Sequence, residues 1–246
     1  MDRMLYLAAT GATQIMHRQA ANTHNLANAS TTGFQADLSA ARAMPVFGEG
    51  HASRVYAMAE RPGVDFSRGT LMVTGRELDV AVNGDGWIAV QGADGREAYT
   101  RAGDLRVNSA GQLTNGAGHA VLGDAGPLVI PPYESLEIGG DGTVTIRPIG
   151  QAPNTLAEVG RIKLVDHVPG QLEKGEDGLL RSRDGNLLPP SVNVSLLNGN
   201  LESSNVSMVE AMTNMIELSR SFEMQIKLMK TAEDNDAQSA RMMQMS

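Results

Sequence analysis

The chain has 246 residues, of which 41% are hydrophobic, a formal net charge of −8 and no cysteine. This length permits one large domain or two modest ones with a sizeable core. The negative charge argues against binding to nucleic acid or to anionic membrane surfaces, because both require a basic face. The lack of cysteine excludes disulfides, thiol catalysis and thiolate metal sites.

The N-terminus shows no secretory signal peptide. Residues 4–9 are mildly apolar, but this run is too short for the hydrophobic region of a signal, and Asp2 precedes it. No apolar run approaches the roughly 20 residues that a transmembrane helix needs. We therefore expect neither classical secretion nor direct membrane insertion.

Residues 2–28 are predicted to form a helix with one apolar seam. Positions three and four apart repeat without interruption, as in a helix that faces one partner helix. Two polar residues of this seam, Gln19 and Asn22, allow two interpretations. They are either buried amides that set register and partner choice, or they face solvent or a polar channel. The seam consists of Leu5, Ala8, Ala12, Ile15, Gln19, Asn22 and Leu26.

The middle of the chain changes from the helical period to the period of strands. Residues 35–69 contain Pro and Gly that interrupt both patterns, and we predict an extended arm or linker. From residue 70 to residue 199, short alternating runs are separated by Asn-Gly and Asp-Gly pairs. These pairs favour tight hairpin turns, so this part is predicted to be an all-β middle domain of antiparallel hairpins.

The C-terminus is predicted to be a second, longer helix over residues 207–244. Ser207 and Glu210 have the spacing of a capping box, and the helix would be roughly 55 Å long. Its many Met residues suit contacts with unlike neighbours, although Met is also an ordinary core residue. The predicted seam consists of Val209, Met212, Ile216, Ser219, Phe222, Ile226 and Met229.

These patterns together predict an α+β fold with two separate parts. The terminal helices, in residues 1–34 and 200–246, would pack as a coiled-coil-like inner domain, while residues 70–199 form the β domain. We expect both seams to act as the assembly interface, because two such helices can pack with copies of the chain or its relatives. In the free monomer, we expect the termini to be largely disordered.

Four motifs resemble those of bacterial flagellar rod and hook proteins, and they occur in the family order. They lie in residues 24–34, 74–87, 99–105 and 199–206. His24 and Gln35 depart from the residues that this family usually carries at these positions. The family-motif positions at the two helix boundaries are Asn25, Leu26, Ala27, Asn28, Thr32, Gly33, Phe34, Leu201, Glu202, Ser204, Asn205 and Val206.

The resemblance implies a structural subunit of the proximal rod, the part of the flagellar drive shaft that crosses the periplasm. It implies helical assembly through the terminal helices with copies of itself and with other rod proteins, linking inner rod components to the distal rod. It also implies export by the flagellar type III apparatus without a cleaved signal peptide. An alternative is another axial protein of this family, of the distal-rod or hook type.

A weaker alternative is a periplasmic enzyme that acts on glycan. Such an enzyme would need paired carboxylates, and the candidates lie in predicted turns and solvent-facing positions. They are Asp79, Asp85, Asp94 and Asp104. The five histidines share no metal-ligand spacing, and no Gly-rich loop opens a helix as dinucleotide binding requires. We therefore predict no catalytic residues, no metal and no cofactor.

Overall fold

The computed structural model describes residues 3–39, 41–45, 55–59, 63–151, 155–166 and 170–244. Two long helices lie at opposite ends of the described chain, and the strands lie between them. The helices are α1 (Arg3–Ala27) and α2 (Met208–Gln244). The strands are β1 (Asp37–Leu38), β2 (Ala41–Pro45), β3 (Val55–Ala59), β4 (Gly63–Val64), β5 (Leu71–Val73), β6 (Val80–Asn83), β7 (Gly86–Gln91), β8 (Glu97–Thr100), β9 (Arg106–Val107), β10 (Leu113–Thr114), β11 (Leu122–Gly123), β12 (Gly126–Pro127), β13 (Tyr133–Ile138), β14 (Thr143–Pro148), β15 (Ala157–Arg161), β16 (Leu164–Asp166), β17 (Leu172–Lys174), β18 (Leu180–Ser182), β19 (Ser195–Asn198) and β20 (Asn200–Glu202).

The chain divides into two compact units. The helical unit contains Met1–Ala29, Ala36–Asp65 and Val206–Ser246, and the β unit contains Ser30–Gln35 and Phe66–Asn205. Neither α1 nor α2, as far as the structure describes them, has an apolar stretch long enough to cross a membrane.

In the helical unit, α1 and α2 pack side by side in antiparallel directions. Gly11 lies against Gln225, and Asn22 lies against Ala211, so the contact moves toward the start of α2 as α1 advances. The buried residues on the facing sides are mostly small: Ala8 and Ala12 on α1, and Ala211 and Ala232, together with the larger Leu218, on α2.

The predicted coiled-coil-like inner domain is therefore wrong. A coiled coil inserts large apolar side chains of both helices into the shared seam. Here Val209, Met212 and Ile216 of the predicted α2 seam are exposed by 77%, 49% and 56%. The helices instead contact each other through alanine and glycine residues and through amide side chains. In addition, α1 contacts β3. The described chain remains an α+β arrangement of two terminal helices around many strands.

The rest of the helical unit consists of two short antiparallel strand pairs from the predicted arm. β1 pairs with β4, and β2 pairs with β3. Asn25 connects α1 to β1, because its side chain donates to the Asp37 carbonyl at 2.9 Å and accepts from the Asp37 amide at 2.8 Å. Other parts of the predicted arm, residues 46–54 and 60–62, lie outside the described residues.

The β unit contains antiparallel sheets around an aliphatic core. Its largest sheet has the strand order β16-β7-β8-β18-β17, and a second sheet has the order β13-β14-β15. Shorter ribbons pair β5 with β20 and β6 with β19. The fully buried members of the core include Val80, Ile88, Val90, Leu105, Leu113, Val121, Ile138 and Val144.

Turn chemistry explains why these strands reverse direction where they do. Gly84, Gly95 and Gly142 adopt positive φ after Asn or Asp, as tight turns require. The Asn115-Gly116 pair behaves differently, since positive φ falls on Gly118 instead. The Asn115 side chain accepts a hydrogen bond from the His119 amide at 2.9 Å and thereby stabilises this wider turn.

Candidate assembly surface and the junction of the β unit

The predicted assembly residues fall on two different faces of the helical unit. On α1, Ala8 and Ala12 are buried, and the positions that continue this face toward the end of the helix are half-buried: Ile15, Gln19, Asn22 and Leu26. This face contacts α2, because Asn22 donates to the Ala211 carbonyl at 2.7 Å.

The α2 residues of the predicted interface are mostly directed away from α1. Phe222 and Met229 are half-buried, whereas the remaining α2 members are exposed: Val209, Met212, Ile216, Ser219 and Ile226. Leu5 of the α1 seam is also exposed. The face of α2 toward α1 is shifted by about one residue from the predicted one and passes through Ala211, Leu218 and Ala232.

Further large apolar residues on the helices are exposed but lie outside the predicted seams. They are Tyr6 and Met16 on α1, and Met208, Met224, Leu228, Met242 and Met243 on α2. Strict steps of three and four excluded them, although their size and hydrophobicity were visible in the sequence. The two helices contact each other through small side chains, while large apolar side chains are exposed on their other faces. Such an exposed apolar surface is typical of a protein–protein interface.

The family-motif residues of the β unit converge on Glu202. Its backbone carbonyl accepts a hydrogen bond from the Gly33 amide at 2.8 Å. Its carboxylate accepts from the Gly69 amide at 3.0 Å and from Arg101 Nη1 at 3.0 Å and 3.2 Å. We name this cluster of Gly33, Gly69, Arg101 and Glu202 the junction.

The Arg101 side chain is enclosed as fully as its partner. Both side chains of the Arg101–Glu202 pair are only 1% exposed. Arg101 Nη2 donates to the Gly84 carbonyl at 3.0 Å, and its guanidinium carbon lies 4.7 Å from the centre of the Trp87 ring. Phe66 meets Trp87 edge-on, with ring centres 5.9 Å apart. The guanidinium charge is therefore compensated by an anion, a carbonyl and an aromatic face.

Two other motif residues extend the contacts of the junction. The Asn205 amide donates to the Phe34 carbonyl at 3.2 Å, and the Asn205 side chain donates to the Ser67 carbonyl at 3.0 Å. Lys174 Nζ lies 3.8 Å from the centre of the Phe34 ring and donates to the Gln35 carbonyl at 2.7 Å. These contacts hold the beginning and the end of the β unit beside each other.

The remaining motif residues have local roles at helix ends or in strands. Asn28 donates through its side chain to the His24 carbonyl at 3.0 Å, near the C-terminal end of α1. Ser207 accepts from the Glu210 amide at 3.4 Å, which is the first half of the predicted capping box. Leu201 lies in β20, and Ser204 is buried beyond its end.

Two of the four candidate carboxylates, Asp79 and Asp104, lie opposite each other in an antiparallel bridge, and each of the four has an arginine partner. Asp79 pairs with Arg76, Asp85 with Arg68, Asp94 with Arg96, and Asp104 with Arg106. Hydrogen bonds from Arg96 hold the pKa of the Asp94 carboxyl below its ordinary value. In the described part of the chain, no three His, Asp or Glu side chains are close enough together to bind a metal.

Comparison with known proteins agrees with these motifs. A family profile described as "Flagellar basal body rod FlgEFG protein C-terminal" matches residues 197–242, and one described as "Flagellar hook protein FlgE/F/G D1 domain" matches residues 81–146. The chain is 42% identical over the full length of both proteins to the flagellar basal-body rod protein FlgF of Salmonella typhimurium, and equally to that of Escherichia coli. It is 32% identical to FlgG of Buchnera aphidicola over 68% of this chain and 66% of that protein.

The identity to FlgF extends over the whole chain, whereas the match to FlgG covers only part of either protein. The first profile includes Glu202 and nearly all of α2, and the second includes Trp87 and Arg101, so both overlap the sites described above. The chain therefore belongs to the family of the flagellar basal-body rod protein FlgF.

Proposed function

We propose that this chain is a structural subunit of the proximal flagellar rod that assembles helically through α1 and α2. Membership of the FlgF family supports a rod subunit located in the flagellar basal body. The relatives are named as flagellar basal-body rod proteins, which supports a role as a rod component rather than as an enzyme. In this proposal the subunit joins inner rod components to the distal rod across the periplasm.

The observation that carries this proposal is the exposed apolar face of α2. Val209, Met212 and Ile216 occupy successive turns near the start of the helix, and all three are exposed. Large apolar residues on one helix face are costly in water, and a neighbouring helix would remove them from it. Contacts between unlike faces of successive subunits generate a helical assembly when the rotation between subunits does not close a ring, and we propose this case for the rod.

The partners proposed here are copies of this chain, other rod proteins and the flagellar type III export apparatus. Export without a cleaved signal peptide also belongs to the proposal. The predicted division into a helical inner tube of residues 1–34 and 200–246, an arm of residues 35–69 and a β domain of residues 70–199 stays a prediction for the assembled state.

The test replaces Val209, Met212 and Ile216 together by Ser in a strain that lacks the wild-type chain. We expect the variant to fold with unchanged β-unit melting, but to fail to enter basal bodies and to restore swimming. A matched control replaces three exposed polar residues of the same helix, Thr213, Asn214 and Glu217, by Ala.

The control variant is expected to assemble and to support swimming. If the apolar triple variant also assembled into complete, motile flagella, this face would not be the assembly surface. If a strain lacking the chain altogether built motile flagella, the proposed rod function itself would be wrong.

A further inference from the structure

Glu202 contacts every part of the chain that enters or leaves the β unit. Gly33 belongs to the short segment Ser30–Gln35, and Gly69 lies just after Phe66, where the chain returns to this unit. Glu202 itself lies three residues before Asn205, after which the chain continues into the helical unit. One residue therefore holds three chain segments together through its carbonyl and its carboxylate.

A second set of hydrogen bonds joins the same segments. Ser203 donates to the Thr70 carbonyl at 2.9 Å, and Asn205 bonds to both Phe34 and Ser67. These bonds depend on register, since a shift of one residue in β20 would turn Glu202 to the opposite face of its strand. The carboxylate would then lose Arg101 and leave two charges buried apart.

The backbones at the junction approach so closely that glycine is required. A Cβ atom on Gly33 would lie 2.3 Å from the Arg101 carbonyl carbon, and one on Gly69 would lie 1.9 Å from the Ser203 carbonyl oxygen. Gly33 also has a φ of 65°, in the left-handed region. The segments therefore have no space to slide past each other while the ion pair is in place.

A buried ion pair contributes little net stability, because desolvation of both charges opposes their attraction. The pair instead strongly disfavours alternative arrangements of the segments, since any arrangement that separates the two buried charges is costly. We propose that Arg101 and Glu202 are positioning residues that set the register of the three crossing segments, and so define where the chain leaves the β unit toward each helix. This inference concerns the fold and does not rest on the proposed rod function.

The test uses the full-length double variant Arg101→Met/Glu202→Gln, in which Gln keeps an acceptor for the Gly69 amide. We expect it to melt within a few degrees of the wild type. Hydrogen exchange at the amides of Gly33, Ser203 and Asn205 is expected to be about tenfold faster or more, while the amides of β7 and β8 keep wild-type rates.

The matched control is Lys163→Met/Glu97→Gln. This pair is also largely buried, with Nζ–O distances of 2.7 Å and 2.9 Å, but neither residue belongs to the three crossing segments. The control is expected to leave exchange at the junction unchanged. Arg101→Lys, which keeps the charge without the planar guanidinium, should fold and also accelerate exchange at the junction.

Three results would overturn the proposal. The first is wild-type exchange at the junction amides in the double variant, which would mean that the pair does not set the register. The second is equal acceleration in β7 and β8, which would mean that the pair only adds to global stability. The third is failure of the double variant to fold, because a pair needed for stability is not a device that selects among registers.

Discussion

The side-chain amide of Asn22 donates a hydrogen bond of 2.7 Å to the backbone carbonyl of Ala211, across 189 positions of sequence. It connects the last part of α1 to the first turn of α2. This polar seam residue thus bonds to the other helix of the same chain, and its part in partner choice stays a prediction. An amide at this position aligns two helices whose other contact residues, such as Ala8 and Ala12, are too small to fix a register alone.

Asn22→Ala is therefore expected to weaken the helix pair. The Ala211 carbonyl can still accept within its own helix, so the loss should be about 0.5–1.5 kcal/mol in the free energy of unfolding. Urea titration followed by far-ultraviolet circular dichroism measures it. Thr23→Ala is the control, because the Thr23 hydroxyl bonds within α1, to the Gln19 carbonyl at 2.8 Å. Equal losses in the two variants would show that the interhelical bond does not stabilise the pair.

Gly11→Ala should reveal how closely the helices approach. A Cβ atom there would lie 3.2 Å from the side-chain carbon Cδ of Gln225, which must move to accept it. Alanine within a helix gains up to about 1 kcal/mol over glycine, so this gain and the steric cost oppose each other. We expect the full gain only when Gln225→Ala is also present. A double-mutant cycle measured by thermal unfolding tests this, and additive effects would mean that the two residues do not touch.

The stability of the β unit should fall at alkaline pH because of Tyr99. Burial raises the pKa of this phenol from its ordinary 10.0 to about 12, and its oxygen accepts from the Leu188 amide at 2.9 Å. The folded state therefore keeps the phenol proton to higher pH than the unfolded state. The resulting stabilisation is complete below about pH 10 and is lost as the pH rises toward about 12.

Tyr99→Phe tests this origin of the alkaline effect. The variant should be less stable at neutral pH, by about 1–3 kcal/mol, because the Leu188 amide loses its buried acceptor. Between pH 10 and pH 12, however, its stability should fall less steeply than that of the wild type. Denaturant titrations across this range measure both slopes. Identical slopes would show that Tyr99 does not titrate between these limits in the folded protein.

The sequence defined the ends of the two helices better than their faces. The predicted limits of residues 2–28 and 207–244 differ by about one residue from Arg3–Ala27 and Met208–Gln244, because helical periodicity and capping residues are local signals. The prediction of which face of α2 contacts α1 was wrong for a physical reason. Large apolar residues mark a surface that avoids water, but here the contact within the chain uses small residues that carry no such signal.

The junction also could not be derived from local patterns. Arg101 and Glu202 are 101 positions apart, and Gly69 is 133 positions from Glu202. Arg101 and Glu202 both lie in family motifs, but the motifs do not show that the two side chains form an ion pair. The contact of Gly69 with Glu202 follows from the pairing of β5 with β20, and short alternating runs do not specify which strands pair.

Gly103→Ala should destabilise the β unit severely. Gly103 does not adopt a positive φ, so the expected loss comes from steric overlap and not from backbone conformation. A Cβ atom at this position would lie 1.8 Å from the backbone carbonyl oxygen of Val80. Because Val80 is fully buried in the core, its backbone has little room to move away. The Gly103 carbonyl also accepts from the Val80 amide at 2.9 Å, so a backbone shift would break that bond. We expect a loss of about 3 kcal/mol or more, as for other overpacked core sites.

The matched control for this prediction is Gly140→Ala. The nearest atom to a Cβ there is the Leu196 carbonyl oxygen at 3.5 Å, an ordinary contact, and the backbone requires no positive φ. Alanine at position 140 should therefore change the free energy of unfolding by less than about 1 kcal/mol. Since both substitutions add the same methyl group to the same unit, the difference isolates the clash with Val80. Similar stabilities of the two variants in urea titration would mean that the backbone at Gly103 relaxes freely.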